Sequence, residues 1–523
     1  MSKQLTKLSQ ALIAAYDKDY KHSLDNTISV NPVVAELAAW YEKFRTAMDY
    51  RDDEVILRSA IERILKRRLM MSNTGVAIAA PLIRELVWAR YFPDASVSES
   101  SVNKVAQAID LYVKLEEEIN KKHRINKMIV SEWIIHLLSS EIEDILKPSP
   151  EKNMMCNFIF NIFKSRVTIL DDTDEIRDIQ VFIAVRRAFA YDDLALLRFH
   201  LFRQYFGHLN AHNLDKISTD FMDGYKKIEE QFNYPSKDKI HSYIKDQMIP
   251  FLILDDVLRK YKGKLHSLIS DEEQLNLAIL EACSSRYKTI VGKVRRAIVR
   301  SVIFIFFTKA IFALFVEGAF ERLLYGRIVW PSIALNTLTP PALMVLVGVF
   351  VKTPAKDNSF KISHKISTIL FDENPNLEVP LQVKKRPSKI DPIIWILFMS
   401  LWFTTFVLSF GAIIFLLTKL EVNPLSQAVF IFFLAIVSFV GFRVNRTAHM
   451  YILKDKREYL GSILFDFFFM PFIQVGRRLT AYVSQINIIL FVFDFIIEAP
   501  FKGIVAFLEQ WLLFLRTQRE KLD

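Results

Sequence analysis

Cysteine is nearly absent: Cys156 and Cys283 are the only two in 523 residues. They cannot form a disulfide framework, and their scarcity fits a reducing compartment. Glycine is also sparse, 13 residues in all, well under the ~7% of average proteins. Phosphate-cradling loops are correspondingly few, and the chain holds no P-loop, glycine-rich dinucleotide turn, HExxH, nucleophile elbow or CxxC pair. No cofactor is therefore expected. Zinc-finger spacing and aromatic-interleaved basic motifs are missing too, so nucleic acid is not expected as a partner despite a net charge of +10. At the N-terminus, MSKQLTKLSQALIAAYDKDYKHSL holds an apolar patch too short and too interrupted for a signal peptide, which predicts that residues 1–300 are not exported.

What is present is unevenly spread. Hydrophobic residues make up 51% of the chain and mean hydropathy is positive, both above the soluble norm. Residues 1–300 mix charged and apolar positions as a soluble helical protein does, whereas 301–523 hold most of the long uncharged runs. Ile393–Leu417 has 25 residues without a charge, more than the ~20 a helix needs to cross hydrocarbon. Leu425–Phe442 is shorter, and the linker TKLEVNPLSQ joins the two as a helical hairpin. Ser301–Leu324 is predicted as a first span although Lys309 and Glu317 lie in it. Ile328–Val351 is uncharged but interrupted by Pro331 and the Pro340-Pro341 pair. That pattern predicts a broken span with Asn336, Thr337 and Thr339 at the break, or a kinked anchor whose prolines mark a helix start.

Basic residues set the orientation. Lys293, Arg295, Arg296 and Arg300 precede the first run, and Arg443, Arg446, Lys454, Lys456 and Arg457 follow the fourth. Between the second and third lie Lys352, Lys356, Lys361, Lys365, Lys384, Lys385, Arg386 and Lys389. The other two connections hold only Arg322 and Arg327, and Lys419. Because Lys and Arg gather on the cytoplasmic side, four spans with both termini cytoplasmic satisfy every loop. Lys309 then sits about 13 Å along the helix from Arg300, near the middle of a ~30 Å core. An ionisable group at that depth is a functional candidate, with Glu317 the partner to test and Glu321 a third charge nearby. Eight residues of α-helix turn Lys309 and Glu317 about 80° apart, so contact with another helix, or snorkelling toward headgroups, competes with their pairing.

After Lys456 the pattern changes again. Asp466, Arg477, Arg478, Asp494, Glu498, Lys502 and Glu509 interrupt apolar stretches that also carry Pro471 and Pro500. Two further spans would strand Arg477 and Arg478 outside, so in-plane amphipathic or re-entrant helices are expected, with Trp511 and neighbouring Phe and Leu in the acyl boundary.

Residues 1–300 show helical periodicity and almost no strand alternation. Asp52 and Asp53 are placed to cap a helix whose Leu57, Ile61, Ile64 and Leu65 share a face, and SVSESS precedes another with Val102, Val105, Ile109 and Tyr112. Prolines 32, 93, 148, 150 and 235 divide the region into about eight to ten helices. No proline interrupts the stretch from Asp271 into the first membrane run, which predicts one continuous rod.

Candidate chemistry in this half is thin. His208 and His212 are the weak metal candidates, though a polar loop after RQYFG accounts for them better. Asp171, Asp172, Asp174 and Glu175 read as helix-capping acids before a cation site. Asp255 and Asp256 lack the third aspartate and second copy that a diphosphate-binding aspartate-rich motif needs. Glu132 and His136 read as a satisfied pair at the core boundary. Asn445-Arg446-Thr447 matches the glycosylation pattern but falls on the expected cytoplasmic side.

The expected fold is all-α: a cytoplasmic helical domain (1–290), two membrane segments (291–351), a basic loop (352–389), a transmembrane hairpin (390–446) and amphipathic helices (447–523). Expected partners are anionic lipid headgroups, met by Lys384, Lys385, Arg386, Arg477 and Arg478, together with a protein partner or further copies of the chain. The favoured activity is a non-enzymatic membrane anchor or assembly platform. An oligomeric channel or transporter subunit built on Lys309, Glu317 and the proline-broken segment is the alternative, and a membrane-bound enzyme comes third.

Overall fold

A computed structural model describes residues 5–18, 27–28, 30–48, 55–326, 330–351, 354–373, 375, 377, 379–385, 391–420, 422–453, 460–484 and 499–520. Helix follows helix. In order they are α1 (Lys7–Asp17), α2 (Pro32–Met48), α3 (Ile56–Leu69), α4 (Gly75–Trp88), α5 (Glu99–Lys122), α6 (Lys127–Leu146) and α7 (Pro150–Lys164). After the short strand β1 (Val167–Ile169) come α8 (Asp174–Val185), a π-turn (Arg186–Ala190), α9 (Leu194–Phe206), α10 (Leu214–Phe232), α11 (Lys237–Asp246), α12 (Ile249–Lys260) and α13 (Leu265–Ser270). Then follow α14 (Glu272–Phe312), a second π-turn (Ala313–Glu317), α15 (Gly318–Tyr325), α16 (Trp330–Phe350), α17 (Lys356–Phe371) and the strand β2 (Leu381–Val383). The chain closes with α18 (Pro392–Lys419), α19 (Pro424–Ala448), α20 (Leu460–Ser484) and α21 (Ala499–Glu520).

Local chemistry sets many of these boundaries. Ser98 caps α5, Thr173 caps α8, Asp193 caps α9 and Asp271 caps α14, each side chain accepting from a backbone N–H in the first turn. Asp174 and Glu175 fill the first turn of α8, as the capping reading expects. The expected caps Asp52 and Asp53 lie outside the described residues.

The chain divides into two compact units, neither contiguous in sequence. The first joins residues 1–270, 368–387 and 492–523. Its core is drawn from α2 to α6, α9 and α10; on α5, Val105, Ile109, Tyr112, Leu115 and Ile119 form the buried face at helical spacing. Two segments distant in sequence complete this unit. β2 pairs in parallel with β1, Val167 opposite Leu381, and the interval read as a basic loop therefore holds both α17 and a strand. α21 seats Val505 in the core cluster and stacks Phe501 on Tyr41 of α2 at 4.6 Å. Within the segment expected to form amphipathic interfacial or re-entrant helices, one face of α21 is covered by protein, because Phe501, Val505, Leu508 and Leu512 fall on a single stripe.

The second unit comprises residues 271–367 and 388–491. Helix runs unbroken from Glu272 through the π-turn to Tyr325, with no interruption near Lys293. Among the described residues, three helices are long and apolar enough to cross a membrane: Glu272–Leu323, Pro392–Lys419 and Pro424–Ala448. Asn336–Phe350 is a shorter apolar stretch, so it stands outside that set of three. Where the sequence predicts a break or kink, α16 continues as helix through Pro340 and Pro341. The two prolines remove only two donors, and α16 packs along both α14 and α19. α20 lies against α19 with Gly476 at the crossing; a Cβ there would stand 2.0 Å from the Ala435 carbonyl oxygen, so only glycine permits this approach.

Candidate functional site

The second unit gathers its polar side chains inside. Lys309, at the end of α14, is fully buried and donates to Glu317 Oε1. Glu317 Oε2 accepts from Asn336 Nδ2 of α16 at 2.7 Å and from Ser426 Oγ of α19 at 3.1 Å. Asn336 Nδ2 also reaches the Ser426 carbonyl at 3.3 Å. The Lys309 ammonium lies 5.2 Å from the centre of the Phe433 ring, a favourable cation–π placement. One turn further along, Glu321 accepts from Asn423 Nδ2 at 3.0 Å, and Asn423 Oδ1 caps α19 by accepting from Ser426 N at 2.8 Å.

The π-turn explains why Lys309 and Glu317 meet. In a π-turn the hydrogen bonds run from i to i+5, which inserts one extra residue into the helix. Eight residues then rotate like seven of ordinary α-helix, about 700°, which is within about 20° of two full turns. The 80° separation expected for an uninterrupted helix disappears, and both side chains face α16 and α19. The carboxylate is satisfied by an ammonium, an amide and a hydroxyl. That arrangement holds four helical segments in register, since a charge left unpaired there would cost several kcal/mol.

Of the residues singled out in the sequence, Lys309, Glu317 and Asn336 are brought together, with Glu321 joined through Asn423. Thr337 is on the same helix with its hydroxyl enclosed; its Oγ1 and Asn336 Oδ1 are buried with no hydrogen-bond partner among the described residues. Thr339 lies half-buried two residues further on. Ser426, Asn423 and Phe433 were not singled out, because NPLSQ reads as a linker and Phe433 as one of many aromatics in an apolar run. Arg477 and Arg478 are exposed on α20. In the first unit, Lys385 pairs with Asp172 at 2.9 Å and the Lys384 carbonyl accepts from Ser236 at 2.6 Å, while Arg386 lies outside the described residues. His208 and His212 are exposed in the loop between α9 and α10. Among the described residues no group of three or more His, Cys, Asp or Glu is arranged to hold a metal ion.

A second buried network, unnoticed in the sequence, lies in the first unit. The other π-turn presents Arg186 to Asp192, to Asn153 Oδ1 at 2.8 Å and to His200, with Lys152 3.6 Å from Asp192. It ends at Tyr191, a non-glycine residue at φ +57°. Burial, reinforced by the Arg186 charge, pushes the His200 imidazole well below its ordinary range, so it stays neutral. Burial raises the nearby Glu143 carboxyl to about 7 and the Cys156 thiol to about 11. The thiol is thus held in its unreactive form. Alongside, Arg198 donates to Glu229 at 2.8 Å, lies 2.8 Å from His136 Nδ1 and stands 3.8 Å from Glu132, so Glu132 and His136, expected as a pair, are linked through Arg198.

Comparison with protein-family models, with curated proteins and with solved structures finds no match.

Proposed function

We propose that the protein is an integral membrane protein that acts as an anchor or assembly platform, holding its first unit at a bilayer surface through the helices of its second. The observation that carries this reading is the closure of the Lys309–Glu317 cluster. Its charges neutralise each other and bind Asn336 and Ser426, which suits a clamp between membrane helices better than a conduit for ions. Both termini are proposed to be cytoplasmic from the distribution of Lys and Arg. Anionic lipid and a protein partner are the proposed ligands in this reading. Purification of the full chain in a mild detergent followed by intact-complex mass determination tests this: a stoichiometric second protein is expected. A closed ring of identical chains alone would count against it.

One observation favours the channel or transporter reading as an alternative. Asn336 Oδ1 and Thr337 Oγ1 are buried with no hydrogen-bond partner among the described residues, and Pro340 and Pro341 cannot supply the backbone donors that the Asn336 and Thr337 carbonyls would meet in a regular helix. Oxygens in that position can receive a cation or proton. Ion flux into liposomes separates the two: a conduit loses flux on Lys309→Met, whereas a clamp shows no flux in either protein.

A further inference from the structure

α18 and α20 leave an open groove of about 330 Å³ between them. On the α18 side it is lined by Met399, Trp402, Phe403 and Phe406. Trp402 meets Phe406 at 5.4 Å, Phe406 continues to Phe410 at 6.1 Å, and Phe410 meets Phe472 of α20 at 4.5 Å. The spacing of 402, 406 and 410 lays these rings along one helix face, giving a continuous apolar wall. A volume at the small end of ligand sites suits a single acyl chain better than a whole lipid.

The α20 side is different. It brings Gln474 and Arg478 to the groove. Arg478 is exposed and has no acidic partner among the described residues. Beside this apolar wall a guanidinium needs a counter-ion, and its planar fork matches a phosphate in two-point contact. The groove lies on the half of α18 that follows the basic segment, the side on which anionic lipid collects.

We propose that this groove binds one anionic phospholipid, its phosphate on Arg478 and Gln474 and one acyl chain along Trp402 and Phe406. The proposal rests on α18 being a membrane helix; a chain that stays in solution without detergent would defeat that premise separately from the outcomes below. The test uses the full chain in a mild detergent, offered phosphatidylglycerol or phosphatidylcholine with identical acyl chains and read by native mass spectrometry. One phosphatidylglycerol per chain is expected, retained about tenfold better than phosphatidylcholine, with Arg478→Gln erasing the difference and Arg477→Gln preserving it. Arg478→Lys, which keeps the charge without the fork, should retain an intermediate amount. Val475→Phe, which fills the groove, should lower retention of both lipids. Equal retention of the two lipids, equal losses from both arginine variants, or displacement by glycerol phosphate, which has the charge without the chains, would each overturn the proposal.

Discussion

The two units are built inside out with respect to each other. In the first, Ile61, Leu82, Ile109, Leu137 and Phe202 are 0% exposed and charge lies mostly outward. In the second, Ile393 is 76% exposed, Phe403 69% and Phe415 66%, while Lys309, Glu317, Ser409 and Ser426 are each at 1% or less. Water around the first unit rewards burial of apolar surface. A surface like that of the second is stable where its surroundings are as apolar as the side chains, and its polar groups must then find partners within the protein. Length and hydropathy of the helices suggest a bilayer, and the pattern of burial gives an independent reason for the same proposal.

The largest test of that contrast is the buried pair. Lys309→Ala or Glu317→Ala alone leaves one charge uncompensated and is expected to cost about 3–5 kcal/mol, whereas a Lys309→Met, Glu317→Gln double variant recovers most of the loss. Thermal melting in detergent reads both, and a silent single variant would mean that the pair is not closed. Next comes the outer surface. Leu408→Arg, at an exposed position of α18, is expected to cost about 3 kcal/mol in a bilayer. The same charge placed at exposed Glu117 of the first unit should change stability by less than about 0.5 kcal/mol. Yields of folded protein compare the two, and equal tolerance would break the distinction.

Smaller effects sharpen it. Gly476→Ala drives a methyl against the Ala435 carbonyl and should cost about 1–3 kcal/mol, and Gly75→Ala does the same against the Ala106 carbonyl in the first unit. Similar losses of melting temperature would show that close packing obeys one rule in both surroundings. The last expected effect is one of pH. Glu143 keeps its proton up to about pH 7 when folded but loses it near 4.5 when unfolded, so its contribution falls as pH rises through that window and is constant above it. Glu143→Gln should remove this slope and raise the melting temperature at pH 8 by about 3 °C. An unchanged slope would place the titration elsewhere.

Much of this organisation is legible in the sequence, and the failures have physical causes. Apolar runs, two of them without a charge, reveal the three bilayer-length helices among the described residues, with Ile328–Val351 expected as a fourth span, and Lys309, Glu317 and Asn336 attract notice because polar groups are costly there. Their meeting was not legible, since a π-turn at 313–317 leaves no marker in the residues Ala-Leu-Phe-Val-Glu. The return of β2 and α21 to the first unit was equally hidden, because long-range pairing has no local signature. A partial signal for α17 did exist: Ile362, Ile366, Ile369 and Leu370 repeat at helical spacing and are all buried. Its lysines drew attention to charge in place of periodicity.

The most direct test is a nitroxide scan along α18 from Leu401 to Leu408 in the full chain reconstituted into a bilayer. Leu401, Phe403, Val407 and Leu408 are expected to be open to lipid-soluble oxygen and closed to a water-soluble nickel complex, with Thr405 shielded from both. Nickel access at the exposed positions would contradict the account, because the apolar surface of the second unit would then be facing water.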